Sequence, residues 1–239
     1  MSSLYIELLY RPLFNGLVFF YTALPVHDLG VSIILLTMVI RVALTPFLWK
    51  GQKAQRALAA LQPEIKKIQE TFKNDKEKQG RAMMELYAKH RVNPFSGCLA
   101  LIIQLPVLIA LFQVFHKGFN PDELSYLYSF IQNPGSLNPL SFGVFDLSKG
   151  SIWVGAVAAL TQYFQTRLTL PSTPPSKTKG DFSQILQNQA LYLFPGLILL
   201  WSWSLPSALP LYWTVLNIIG IVQEMVVRRI GKSEVRIAK

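Results

Sequence analysis

An all-α membrane protein is the fold class the sequence predicts: a five-transmembrane-helix bundle with a cytoplasmic helical hairpin and an N-terminal interfacial amphipathic helix. Three observations predict it. About half of the 239 residues are apolar and only 15% are charged, a balance shifted away from soluble domains. The apolar residues gather into stretches near the length needed to cross a hydrocarbon core of roughly 30 Å. The 23 Lys and Arg residues behind the formal charge of +10 lie almost entirely between those stretches, the placement of a topology signal rather than of a nucleic-acid footprint.

The elements follow in chain order. Residues 1–28 contain an apolar, aromatic segment from Leu4 to Leu24, broken by Glu7, Arg11, Pro12 and Asn15 and lacking a small-residue cleavage site behind a basic leader. It reads as an amphipathic helix in the outer interface; the competing reading is a sixth span, with the N-terminus inside and the other loops unchanged. The first span, 29–50, contains an apolar run from Leu29 to Trp49 interrupted by one charge, Arg41. Four more spans are expected at 95–117, 151–170, 187–204 and 208–227.

The connections alternate in charge. Residues 51–94 hold ten Lys and Arg, whereas 118–150 hold only Lys149, alongside Asp122, Glu123 and Asp146. Arg167, Lys177 and Lys179 lie at or in the 171–186 loop, the 205–207 turn has no charge, and the tail 228–239 is basic again. By the positive-inside rule the N-terminus is outside, the 118–150 loop is extracytoplasmic and the C-terminus is cytoplasmic.

Residues 51–94 are too charged to be embedded. Yet Ala54, Leu58, Leu61, Ile65, Ile68 and Phe72 recur at alternating spacings of four and three, a coiled-coil seam. Asn74-Asp75 breaks the run, and a second amphipathic stretch follows with Met83, Met84 and Tyr87 on one side. The two should pair as a hairpin, either as a spacer between spans or as a docking surface. Its basic charge suits phosphate, in anionic lipid or in ribosomal RNA.

Several chemistries are excluded. His27, His90 and His116 make no zinc spacing, the lone Cys98 rules out an intrachain disulfide, and no expected span contains Asp. There is no G-x-S-x-G elbow and no phosphate-cradling loop. The sequence therefore predicts neither an enzyme nor a cofactor or metal site.

Arg41 is the residue that asks for a function. It sits about nine residues from the cytoplasmic end of its span, some 13 Å deep at a rise of about 1.5 Å per residue, where insertion scales charge roughly 2.5–3.5 kcal/mol for arginine. The only acid in any expected span, Glu224, is better placed for Arg228 at i+4. Thr37 and Thr45 extend a polar stripe one turn either side of Arg41, and Gln104, Thr161, Gln162, Gln165 and Asn217 offer polar side chains from other spans. This pattern favours a hydrated pocket open toward the cytoplasm. The alternative is an arginine that snorkels to the interface without a function.

The first-span run TMVIRVALTPF (37–47), the hairpin and second span with LQPEIKKIQETF and NPFSGCLALIIQLPVLIALFQVF, and the last-span LPLYWTVLNIIGIVQ (209–223) together resemble the YidC/Oxa1/Alb3 family of membrane protein insertases. The resemblance runs from Leu4 to Arg229. It implies that Arg41 is a groove arginine attracting acidic extracytoplasmic parts of a substrate, and that the hairpin is needed for activity. It also implies that Tyr212 and Trp213 face the substrate path, with Gln162 as a groove-lining residue. The implied partners are nascent membrane proteins and membrane lipids, with the ribosome and a Sec-type translocon as further candidates; the implied location is a bacterial plasma (inner) membrane. The sequence departs from Gram-negative members in lacking a large extracytoplasmic domain and a lipoprotein cysteine ahead of the first segment, and its 171–186 loop and tail are short. Docking then falls to the hairpin. The rival function is a small-solute or anion transporter with Arg41 as the anion site.

Overall fold

The computed structural model describes residues 3–93, 96–118, 120–170 and 188–237; the expected loop at 171–186 and the Cys98 side chain lie outside the described residues. Helices dominate. In chain order they are α1 (Ser3–Tyr5), a π-helical stretch (Ile6–Tyr10), α2 (Arg11–Ala23), α3 (Leu29–Ala60), α4 (Gln62–Thr71), α5 (Lys76–Lys89) and α6 (Ser96–Lys117). A 3-10 turn (Pro121–Tyr126) and a two-stranded hairpin, β1 (Leu140–Ser141) and β2 (Phe145–Asp146), lead to α7 (Ile152–Thr169). A second π-helical stretch (Gln189–Leu193), α8 (Phe194–Trp201) and α9 (Ala208–Ile237) complete the chain.

Two of these helices are long and apolar enough to cross a membrane by themselves, at Leu29–Trp49 and Ala208–Arg229. The apolar helix at Gln189–Trp201 is shorter than the span expected at 187–204. In the described part of the tail, α9 continues as helix to Ile237.

The chain divides into two compact units. The first contains the residues up to Val42, Val107–Leu170 and those from 188 on; the second contains Ala43–Pro106. Both long connections between them are helical, and each carries a proline near the division, Pro46 in α3 and Pro106 in α6. Proline removes a backbone donor from each helix there.

The core of the first unit starts from the N-terminal helix. Tyr10, Phe14, Leu17, Val18 and Tyr21 fall on one helical face, and all five are buried with Leu29, Ile33 and Leu36 of α3, Val107, Leu111, Val114 and Phe115 of α6, and Ala208, Leu209 and Tyr212 of α9. Burying an aliphatic or aromatic side chain of this size contributes about 1.5–3 kcal/mol, so this face is a structural wall of the bundle. The residues read as breaks are accommodated within the helix. Glu7 and Arg11 pair at i,i+4, Pro12 comes just after the π-helical stretch Ile6–Tyr10, the kind of local irregularity at which a helix takes in a proline, and Asn15 is buried.

Asn15 explains how the loop after α6 is held. Its amide donates to the Arg11 carbonyl at 2.7 Å and the Tyr126 carbonyl at 2.9 Å, and its Oδ1 accepts from the Tyr128 N–H at 2.6 Å. Tyr10 Oη donates to Glu123 Oε2 at 2.5 Å, and Arg11 lies over the Tyr128 ring at 4.8 Å. Farther along, the Asn138 N–H donates to Tyr21 Oη at 3.2 Å.

The loop then docks on the start of α3. Asp28 caps that helix by accepting from the Val31 N–H at 3.0 Å, and also accepts from Ser141 Oγ at 2.5 Å and the Phe142 N–H at 2.6 Å. Gly30 lies so close to this loop that a Cβ there would meet Ser141 Oγ at 2.2 Å and the Phe142 ring at 2.8 Å. The Ala208 N–H donates to the Leu147 carbonyl at 3.1 Å, so the same loop receives the beginning of α9.

Helix α7 packs against α8 and α9. Close approach to α8 depends on Gly155, where a Cβ would lie 2.2 Å from Ser202 Cβ. Since a Cβ cannot rotate away, Gly155→Ala is expected to cost about 1–3 kcal/mol and to lower the melting temperature in detergent. Ser202→Gly in the same chain should recover part of the loss, whereas an additive effect of the two changes would contradict the packing.

In the second unit, α4 and α5 lie against each other. Leu61, Ile65 and Leu86 form the buried centre, with Ile68, Met83, Tyr87 and Val92 around them. The heptad seam read from the sequence is divided: α3 ends at Ala60, Leu61 forms a turn and Pro63 enters the first turn of α4. Proline cannot continue a helix from the preceding turn, since it has no N–H for the carbonyl four residues back. At Asn74-Asp75 the chain turns again, and the Asp75 carboxylate caps α5 by accepting from the Lys78 N–H at 3.0 Å.

Candidate functional site

Arg41 stands more than halfway along the Leu29–Trp49 stretch of α3 and is 8% exposed. Its Nη2 donates to Gln223 Oε1 on α9 at 2.8 Å, and Tyr212 is an electrostatic neighbour of the guanidinium. Gln223 was absent from the polar side chains that the sequence offered to Arg41. The signal was present nonetheless. Tyr212 and Gln223 are eleven residues apart, about three turns of a 3.6-residue helix, which puts them on one face of α9.

Asn217 points elsewhere. At 1% exposure, its amide lies 3.3 Å from Thr161 Oγ1 and 3.4 Å from the Ala158 carbonyl, both on α7. One turn along, Gly220 lets α9 approach Gln165 of α7, where a Cβ would lie 2.5 Å from its Nε2. Asn217 therefore ties α9 to α7, a role in packing. Gln162, partly buried on α7, donates to Thr166 Oγ1 of its own helix at 3.0 Å.

The threonine stripe also divides. Thr37 is buried, and its hydroxyl donates to the Ile33 carbonyl at 2.6 Å, so its proton is committed to its own helix. Thr45 and Gln104 are partly buried in the second unit. Tyr212 is 1% exposed within the core of the first unit, and Trp213 packs against that core while remaining partly exposed. Glu224, one residue beyond Gln223, accepts from Arg228 Nε at 2.8 Å, and Arg228 also reaches the Leu168 carbonyl.

The structure thus brings Arg41 together with Tyr212 and with Gln223, across α3 and α9. Gln162 and Asn217 belong to the α7 side. Among the described residues no group of three or more His, Cys, Asp or Glu could hold a metal ion.

The family model described as 60Kd inner membrane protein matches residues 19–234. The membrane protein insertase YidC of Fusobacterium nucleatum subsp. nucleatum is 32% identical over 206 residues, covering 86% of this chain and 89% of that protein. The membrane protein insertase YidC 2 of Bacillus anthracis is 30% identical, covering 90% of this chain and 77% of its own length. Against the YidC of Geobacter sulfurreducens the identity is 28% over 93% of this chain, which spans only 37% of that longer protein. A crystal structure described as an active YidC insertase with the first transmembrane domain resolved is 28% identical, with a TM-score of 0.58, over 91% of this chain and 46% of the other.

Proposed function

We propose, for a chain that belongs to the 60Kd inner membrane protein family of YidC/Oxa1/Alb3 insertases, that it integrates newly made membrane proteins through a hydrated groove beside Arg41. It is a membrane protein insertase and not an enzyme. The observation that carries the groove is the buried guanidinium of Arg41, held from α9 by Gln223 at 2.8 Å. A cation fixed at that depth acts in a medium of low dielectric, where its attraction for an acidic segment is far stronger than in water. Polar groups around it shorten the apolar distance that such a segment must cross. No nucleotide hydrolysis or metal enters this scheme.

The remaining elements take their places in the same reading. Five spans put the N-terminus outside and the C-terminus in the cytoplasm of a bacterial plasma membrane, with α4 and α5 on the cytoplasmic side. Their basic surface is where a ribosome or anionic lipid would dock, and a Sec-type translocon is a further partner. Trp213, partly exposed beside the buried Tyr212, lies on the path by which a substrate helix leaves for lipid, where its own burial is favourable.

Reconstitution of the protein alone in liposomes tests this function. It should speed integration of a short single-span substrate and carry no Arg41-dependent anion flux. Flux without insertion would establish the transporter reading instead. A photo-crosslinker at Trp213 should capture the substrate during insertion, whereas one at Phe14 in the packed core should not.

A further inference from the structure

The loop between α6 and α7 carries apolar side chains that the insertase reading leaves unused. In the β1–β2 hairpin, Leu140, Phe142, Val144 and Phe145 are all exposed, Val144 at 73%. Scattered exposed apolar residues need no explanation, but a contiguous cluster marks a protein or membrane contact, so four large apolar side chains within six positions need an occupant. The polar groups of the hairpin are already engaged. Ser141 Oγ and the Phe142 N–H bond to Asp28, the Val144 N–H donates to the Ser141 carbonyl at 3.1 Å, and Asp146 takes Lys149 and Ser148. Phe142 has φ +52, an uncommon conformation for a bulky residue, held by its bond to Asp28.

The depth of the hairpin identifies the occupant. Leu29–Trp49 is 21 residues long, roughly 31 Å at about 1.5 Å per residue, which matches a hydrocarbon core of roughly 30 Å. Its second residue, Gly30, touches Ser141 and Phe142. The hairpin therefore sits level with one edge of the hydrocarbon. Two exposed tryptophans share this end of the unit: Trp153, 76% exposed in the first turn of α7, and Trp203, whose carbonyl lies against Gly150. Indole rings concentrate at the membrane–water boundary.

We propose that the Leu140–Phe145 hairpin, flanked by Trp153 and Trp203, is an anchor immersed in the outer headgroup layer of the bilayer. The partner is the lipid surface itself, continuous with the lipid around α3. Asp146 and Lys149 pair at 2.9 Å, so the hairpin offers no net charge, and its binding is apolar. It follows that zwitterionic lipid suffices and that salt has little effect. The anchor holds the loop against the ends of α3 and α9 from the membrane side.

This proposal rests on α3 spanning the membrane, and the test separates the two. Nitroxide labels are placed singly at Val144, at Val39 in the middle of α3 and at Gln132 in the exposed part of the loop, with Cys98→Ser as background. The protein is reconstituted in phosphatidylcholine vesicles, and accessibility to oxygen and to a water-soluble nickel chelate is measured. Val144 should be shielded from nickel severalfold relative to Gln132 and fall between Gln132 and Val39, unchanged in 1 M salt. Val144 as open to nickel as Gln132, with Val39 in lipid, would overturn the anchor and leave the span intact. A water-exposed Val39 would sink the span, and the anchor with it.

Discussion

Arg41→Gln is expected to cut insertion of substrates with acidic extracytoplasmic tails by about tenfold or more, while Arg41→Lys keeps most of the activity. Glutamine retains hydrogen bonding and loses the charge; lysine retains the charge and loses the planar donor fork. At an effective dielectric of about 20, unit charges about 12 Å apart still interact by about 1.4 kcal/mol, which is about tenfold in rate. Substrates with neutral tails should tolerate both changes better. Gln223→Leu removes the side chain that holds Arg41 at 2.8 Å without altering the charge, so its loss should be smaller and should fall more evenly on both kinds of substrate. The measurement is an insertion assay on acidic and neutral versions of one substrate, with the amount of each variant checked. Equal activity across the set would return Arg41 to a snorkelling residue and remove it from the mechanism.

The largest expected change in stability is at Asp28. Its carboxylate gathers the Val31 N–H, Ser141 Oγ and the Phe142 N–H. Asp28→Ala removes a helix cap and strands buried donors, a loss of about 2–4 kcal/mol. The melting temperature in detergent should fall, and protease should cut the 118–150 loop more readily. Burial pushes the Asp28 carboxyl up, but the bonds from Ser141 and the Val31 and Phe142 N–H groups outweigh it, and the result lies below the ordinary aspartate value. A lowered value in the folded state means that this stabilisation is complete above about pH 4. It is lost as pH falls further, through the folded value. Asp28→Asn should therefore narrow the gap between the melting temperatures at neutral and acid pH. An unchanged gap would show that the cap contributes no pH-dependent stability.

Asp28 was not singled out in the sequence, although an aspartate directly before a long apolar helix is a capping signal. What it does beyond capping was not legible. Its partners Ser141 and Phe142 are more than a hundred residues away, and nothing in the local pattern announces a bond across that separation. Asn15 is the same case. In the sequence it interrupts an apolar run; in the fold its buried amide ties the helix to the Tyr126–Tyr128 backbone.

Composition and periodicity by themselves pointed to a mostly helical, apolar chain with long apolar stretches at Leu29–Trp49 and from Ala208 on; that α3 runs unbroken to Ala60 and α9 to Ile237 was not read from them. They also singled out Arg41, because apolar length, helical spacing and an isolated charge are properties of neighbouring residues. Which side chain meets the arginine was decided only by tertiary structure. Helix α9 carries several polar residues, and the rotation of that helix against α3 and α7 turns Gln223 toward Arg41 and Asn217 toward Ala158 and Thr161. The same packing made the N-terminal helix a wall of the bundle, since its aromatic face is buried only where α3, α6 and α9 converge on it. A helix's periodicity specifies which face is apolar, but the partner that covers it is set by contacts between residues far apart in the chain.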